Sequence, residues 1–216
     1  EIYTLSLHDA LPIFGRTDWT AALLAELASQ PEYAELTVLR HAENRGKGAA
    51  LKTAFSAVLA AGFDWALCMD ADGQHRAADG SRLLAAAAAS GVRPLVIGTR
   101  SGMAGEHVPW TSRAGRGFSN FWVWACGGPW LADTQSGFRL CPLPETLALG
   151  ARSSRYQFEV EVLVRANWAR LPLVEAPVSV VYQPKGERIS HFRPWRDFCR
   201  NSAVFARLFF LNLWRR

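Results

Sequence analysis

The stretch Phe63-Asp64-Trp65-Ala66-Leu67-Cys68 is an apolar run of strand length that stops at Met69-Asp70-Ala71-Asp72-Gly73-Gln74-His75. Gly62 bounds it on one side and Gly73 on the other, so it reads as a buried strand ending in a tight turn. Two carboxylates one residue apart at the end of such a strand point the same way, because side chains alternate. Like charges held together repel, desolvation adds to the cost, and a cation between them relieves both. A hard divalent ion with oxygen ligands fits Asp70 and Asp72, and Gln74 offers a third oxygen two residues on. An ion held with open positions bridges substrate phosphates. The plainer alternative for a bare Asp-x-Asp is a solvated acidic turn.

The neighbouring patterns place that strand in an α/β layout. Thr20 to Ala28 reads as a helix capped by Thr17 or Asp18, with Leu23, Leu24 and Leu27 as its apolar stripe. Leu36–Leu39 reads as a short strand, and His41 to Gly48 as a polar turn opening a helix over about Ala49 to Ala61. After the acidic strand come an alanine-rich helix, Ser81 to Ser90, and a strand, Leu95 to Gly98, leading to Thr99-Arg100. Strands alternating with helices through short links imply a mostly parallel, doubly wound sheet. Ligands in such sheets lie beyond the carboxyl ends of the strands, where Asp70, Asp72 and Arg100 fall. Further on, helices are expected over Ser112 to Ala125, Glu159 to Arg170 and Pro194 to Trp214. Asp133 opens a turn into a strand, and Leu173 to Tyr182 is extended.

Back-translated, Glu1–Ile13 reproduces a common sequencing-library adapter, so residues 1–13 are expected to be an artefact and the natural N-terminus to be missing. Residues 14–192 then suit one α/β domain, incomplete at its start, and 193–216 a basic amphipathic helix. Half the chain is apolar, which excludes disorder. No apolar stretch reaches the roughly 20 residues needed to span a bilayer. Cys68, Cys126, Cys141 and Cys199 lack metal-ligand spacing and read as free thiols in a reducing compartment. The net charge is +5, and the segment from Gln183 to Arg216 holds eight basic residues against two acidic. A basic excess confined to the tail fits a local anionic surface and not a nucleic-acid groove. Arg193, Arg196, Arg200 and Arg207 share one helical face, with Phe198, Phe205, Leu208, Phe209 and Leu211 opposite. Either that helix packs on the domain with a basic outer face, or it lies on anionic lipid.

Five motifs now stand in order: Asn44-Arg45-Gly46-Lys47-Gly48, Asp70 to His75, Gly98-Thr99-Arg100, Asp133-Thr134-Gln135-Ser136-Gly137-Phe138-Arg139 and Ser190-His191-Phe192. Together they resemble family 2 glycosyltransferases, more narrowly the polyprenyl-phosphate (dolichyl-phosphate) mannosyl- and glucosyltransferase-like branch. The resemblance implies the GT-A, or nucleotide-diphospho-sugar transferase, fold with its first strands missing. It implies that Asp70, Asp72 and Gln74 hold Mg²⁺ or Mn²⁺ against the donor diphosphate. His75 is left off that metal set as a packing residue. Asn44, Gly46 and Lys47 would line the nucleotide pocket with Lys47 near phosphate, and Gln135 and Ser136 would contact substrate. Arg100 and Arg113 would meet the acceptor phosphate, a group whose geometry suits a guanidinium fork. Asp133 would orient the acceptor or act as a base, its plainer role being to cap its own turn. Asp72, Asp133 and Arg113 thus form the expected catalytic set. Glu159 and Glu161 lie on a helix with Val160, Leu163 and Val164; one of them could face the site, the plainer reading being a solvated glutamate. Arg116 stands where relatives often have asparagine.

The expectation is a bacterial, metal-dependent inverting transferase. It moves a hexose from a nucleotide-sugar donor of the UDP-glucose or GDP-mannose class to a polyprenyl phosphate. It would be peripheral to the cytoplasmic face of the membrane, with anionic lipid as a partner and no nucleic acid. A hydroxyl acceptor on a glycolipid or secondary metabolite is the first rival. An inactive fragment or non-catalytic membrane-associated scaffold is the second, and a nucleotidyltransferase the third.

Overall fold

The computed structural model describes residues 19–100, 110–181 and 194–215, with side chains over 22–100, 114–181 and 199–215. Helix α1 (Trp19–Ala28) precedes α2 (Lys47–Ala60), strand β1 (Trp65–Cys68), α3 (Gly80–Ala89) and β2 (Leu95–Arg100). Then come α4 (Trp110–Ala125), β3 (Arg139–Pro142), α5 (Leu143–Ala148), α6 (Gln157–Trp168), β4 (Leu173–Val178) and α7 (Pro194–Arg215). Residues 17 and 18, the expected caps of α1, lie outside the described residues, as do the 190–192 motif and Arg193.

The four strands form one sheet in the order β1-β3-β2-β4. Strands β2 and β4 pair in parallel, whereas β3 runs against both β1 and β2. The sheet is therefore mixed, with β3 inserted between the two strands whose ends were expected to be neighbours. Cys68 of β1 and Ile97 of β2 both stand opposite Arg139, the first residue of β3. The turn that leads into β3 is thereby clamped between the carboxyl ends of β1 and β2.

Alternation along the strands sorts two apolar layers. Leu95, Ile97 and Cys141 face one layer, where Phe55 of α2, Val123 of α4, Leu143 of α5, Leu163 of α6, and Phe205 and Leu208 of α7 close the core. Val96, Leu140 and Ala176 face the other, covered by Leu83 and Ala87 of α3. Leu95, Val96 and Ile97 are all fully buried, each worth about 1.5–3 kcal/mol of burial. A strand covered on both faces reads as a continuous apolar run, which is why β2 was plain in the sequence.

Several expectations change. Leu36–Leu39 forms no strand: no strand lies beside it among the described residues, and an extended segment without a ladder partner leaves its backbone to solvent. Helix α2 begins two residues earlier than expected, which puts Lys47 in its first turn. Helix α5 is additional; Pro144 at its start is the local signal for it. Glu159 and Glu161 are buried, not solvated, because α6 has core on nearly every side. The last helix also differs from its basic-outside pattern. Arg207 turns inward to Glu161 at 2.8 Å, and the outward face carries Phe210, Leu213 and Trp214.

Candidate functional site

Four of the five motifs meet at one end of the sheet. Asp70 follows β1 by two residues and meets the first turn of α2. Lys47, from the first turn of α2, places Nζ 2.5 Å from Asp70 Oδ1 and 2.9 Å from Glu159 Oε1. Burial by itself lowers the pKa of Lys47, but the carboxylates of Glu159 and Asp70 more than reverse this, and the ammonium is held charged. Burial likewise opposes the charge on Asp70, yet Lys47 beside it brings the carboxyl below its usual range.

Two glycines make this approach possible. Gly46, the residue before α2, has φ +91°, and a Cβ there would stand 2.6 Å from both Arg155 Cγ and Ser154 O. Asn44 Oδ1 accepts the Gly46 N–H at 3.0 Å and fixes the turn that delivers Lys47. Gly137 lies flat on Asp70: a Cβ at that position would stand 2.6 Å from Asp70 Cγ and closer still to Oδ2.

Asp72 is not a twin of Asp70. The strand ends at Cys68, so alternation no longer governs the side chain at 72, which is exposed and accepts the Gln74 N–H through Oδ1 at 3.0 Å. The Gln74 carbonyl in turn accepts the Val181 N–H at 2.9 Å, tying the acidic loop to the chain after β4. Asp79, the residue before α3, accepts the Ser179 N–H at 2.8 Å together with the Ser179 hydroxyl and anchors the same end of β4.

Arg100, the last residue of β2, donates to both oxygens of Asp133, at 2.6 Å from Nε and 2.9 Å from a terminal nitrogen. Asp133 is fully buried and also accepts the Gln135 N–H. The turn-capping role and an ion pair are thus both present in one carboxylate. Ser136 is buried within the turn, its Oγ accepting the Phe138 N–H, whereas Gln135 is exposed and reaches the Gly115 carbonyl. Arg113 lies on α4, and its side chain is outside the described residues.

Sequence reasoning missed three supports. Arg139 is 4% exposed and donates to the carbonyls of Thr134, Ser136 and Glu159, cementing the 133–137 turn to α6. Asn120 on α4 accepts from both the N–H and the hydroxyl of Thr134. Glu159 is the third: a place facing the site was open to it or Glu161 in the sequence, but its pairing with Lys47 was not legible, its local signal being an acid in the first turn of a helix. His75 packs on Phe138 with ring centroids 5.2 Å apart, in keeping with a packing role. Burial first of all lowers its pKa.

No group of three or more His, Cys, Asp or Glu side chains is gathered for a metal ion among the described residues. Two carboxylates and one amide oxygen are nevertheless a hard donor set. They suit an ion that takes one or two carboxylates from protein and completes its shell with phosphate and water. The ammonium of Lys47 against Asp70 shows that the pocket accepts a cation at that carboxylate. By type, these donors suit a hard divalent ion.

The family model described as Glycosyl transferase family 2 matches residues 15–123. Undecaprenyl-phosphate mannosyltransferase of Micrococcus luteus is 31% identical over 196 residues, 87% of this chain and 75% of that protein. Polyprenol monophosphomannose synthase of Mycolicibacterium smegmatis is 30% identical over 86% of this chain and 69% of its own length. UDP-N-acetylglucosamine–dolichyl-phosphate N-acetylglucosaminyltransferase of Methanococcus voltae is 28% identical over 68% of this chain. The chain spans about six-tenths of the length of that archaeal relative. Glucosyl-3-phosphoglycerate synthase from Mycobacterium tuberculosis, solved with Mn²⁺, UDP-glucose and phosphoglyceric acid, superposes with a TM-score of 0.60. That likeness covers 92% of this chain and 65% of the synthase at 17% identity, and it is one of fold.

Proposed function

Because the chain belongs to glycosyltransferase family 2, we propose that it transfers a hexose from a nucleotide-sugar donor to a polyprenyl phosphate at the cytoplasmic face of a membrane. The donor class is UDP-glucose or GDP-mannose, and the lipid-phosphate acceptors named for the chain's relatives support the acceptor. One observation carries the choice of acceptor: both oxygens of Asp133 are taken by Arg100. Asp133 is also wholly buried, so an incoming sugar hydroxyl, which needs a base, does not reach it. A phosphate acceptor is already anionic and needs no base.

The reaction is a single displacement. An oxygen of the acceptor phosphate bonds to the anomeric carbon as the bond to the donor diphosphate breaks, and the configuration inverts. Mg²⁺ or Mn²⁺, held by Asp70, Asp72 and Gln74, would supply Lewis-acid stabilisation of the leaving diphosphate. Lys47 adds a fixed positive charge beside the same phosphates, and Gly46 lets the backbone approach them. Arg113 would receive the acceptor phosphate on α4. Arg100 holds the Asp133 turn, and with it Gln135, at the mouth of the site. Arg100, the Asp133 turn and Gly137 against Asp70 are in place before substrate arrives, so this part of the site has little to reorganise on the way to the transition state.

Membrane action is supported by the surface of α7. Phe210, Leu213 and Trp214 project outward, and Trp124 and Trp130 also stand exposed, with ring centroids 6.2 Å apart. Aromatic and aliphatic groups so displayed suit the headgroup boundary of a bilayer. Among the described residues, no helix is long and apolar enough to cross a membrane.

Purified protein supplied with Mg²⁺, each nucleotide sugar, and either polyprenyl phosphate or the corresponding polyprenol tests the reading. Transfer to the phosphate alone, abolished by chelator and restored by Mg²⁺ or Mn²⁺, is expected. Transfer to the alcohol alone, or full activity in chelator, overturns it.

A further inference from the structure

We infer that Glu159 is a positioning residue that controls how Lys47 shares Asp70 with a divalent cation. The inference rests on the metal-dependent reading above. Lys47 lies between two carboxylates, 2.5 Å from Asp70 Oδ1 and 2.9 Å from Glu159 Oε1, with side-chain exposures of 15% for Lys47, 34% for Asp70 and 11% for Glu159. The backbone of Glu159 is held: its carbonyl accepts from the buried Arg139, which also grips the turn carrying Gly137. Its carboxylate is thereby presented to Lys47 from the rigid first turn of α6.

A divalent ion approaching Asp70 has to take over an oxygen that Lys47 already engages. Pulling a partly buried ammonium from its partner is costly when nothing else receives it. Glu159 is the receiver. With it, Lys47 gives up Asp70 and stays paired, within reach of the donor phosphates; without it, Lys47 clings to Asp70 and competes with the ion. Glu159 touches neither ion nor substrate on this account and acts through the lysine.

Mn²⁺ binding followed by electron paramagnetic resonance, on the full chain without donor or acceptor, tests this in a double-variant cycle. Glu159→Gln is expected to weaken Mn²⁺ binding about tenfold, the scale of one lost charge pairing. Glu159→Asp, which keeps the charge, is expected to restore most of it. Lys47→Met removes the competitor, so adding Glu159→Gln to it should change affinity by less than about threefold. An unchanged Mn²⁺ affinity in Glu159→Gln overturns the inference, even if Lys47→Met does not fold. So does an equal loss with and without Lys47, which would make Glu159 a distant negative charge and nothing more. If the unaltered protein binds no Mn²⁺, the metal-dependent reading falls together with this one. A bound ion with an uncoupled cycle sinks this one alone.

Discussion

At the scale of single residues, the site depends on close approach as much as on charge. Gly137→Ala would drive a methyl group into the Asp70 carboxylate, and that carboxylate is wedged by Lys47 on its other side. A displacement of about 1 Å at such a position costs about a hundredfold in rate. We expect kcat/KM to fall by that order while the unfolding midpoint barely moves, measured by steady-state transfer assays beside urea titration. Arg100 is a different case, because its partner Asp133 has no exposure to share its charge with water. Arg100→Ala should destabilise the fold by about 3 kcal/mol, and the double variant Arg100→Ala/Asp133→Ala by clearly less, in urea unfolding. A single variant as stable as the parent would deny that the pair is structural. Lys47, Asp70, Asp133 and Arg100 were legible from the sequence as residue types. What Asp133 and Lys47 touch was not, since both partners arrive from elements far along the chain.

At the scale of elements, α6 and α7 are joined through Glu161. It is wholly buried, and burial opposes its charge. Hydrogen bonds from the Ser153 hydroxyl and the Ser153 and Arg152 backbones, with Arg165, hold its pKa down to about 2. Arg207 of α7 adds an ion pair at 2.8 Å. A carboxyl that drops from 4.5 to about 2 on folding stabilises the fold fully above pH 4.5 and loses that contribution as pH falls toward 2. The contribution is about 3 kcal/mol. Urea unfolding from pH 7 to pH 3 should show this decline in the parent protein and a flatter profile in Glu161→Gln. The inward turn of Arg207 also explains why the basic face expected of this helix fails at that position. Four arginines at helical spacing say which residues align, not which way the aligned face points.

At the scale of the whole molecule, the catalytic edge and the apolar outer surface belong to one body. Helix α4 links them, binding Thr134 through Asn120 on one side and packing Trp122 on Phe205 of α7 on another. Phe210→Ser with Leu213→Ser alters only outward side chains. Stability should hold within about 0.5 kcal/mol, while sedimentation with anionic vesicles should weaken tenfold or more. Unchanged vesicle binding would detach this surface from membrane action.

Taken by itself, the sequence determined most of the elements and the family: apolar period sets strand or helix locally, and five short motifs in order are specific without any knowledge of packing. It also placed Asp70, Asp72 and Arg100 at strand ends, because a strand that stops leaves its last polar residues at an edge. Only the tertiary structure decided that β3 enters between β1 and β2, that its leading turn presses Gly137 on Asp70 and Asp133 on Arg100, and that Glu159 faces inward to Lys47. Those outcomes depend on pairings across the sheet and between layers. The period of a segment is blind to which distant segment will lie beside it.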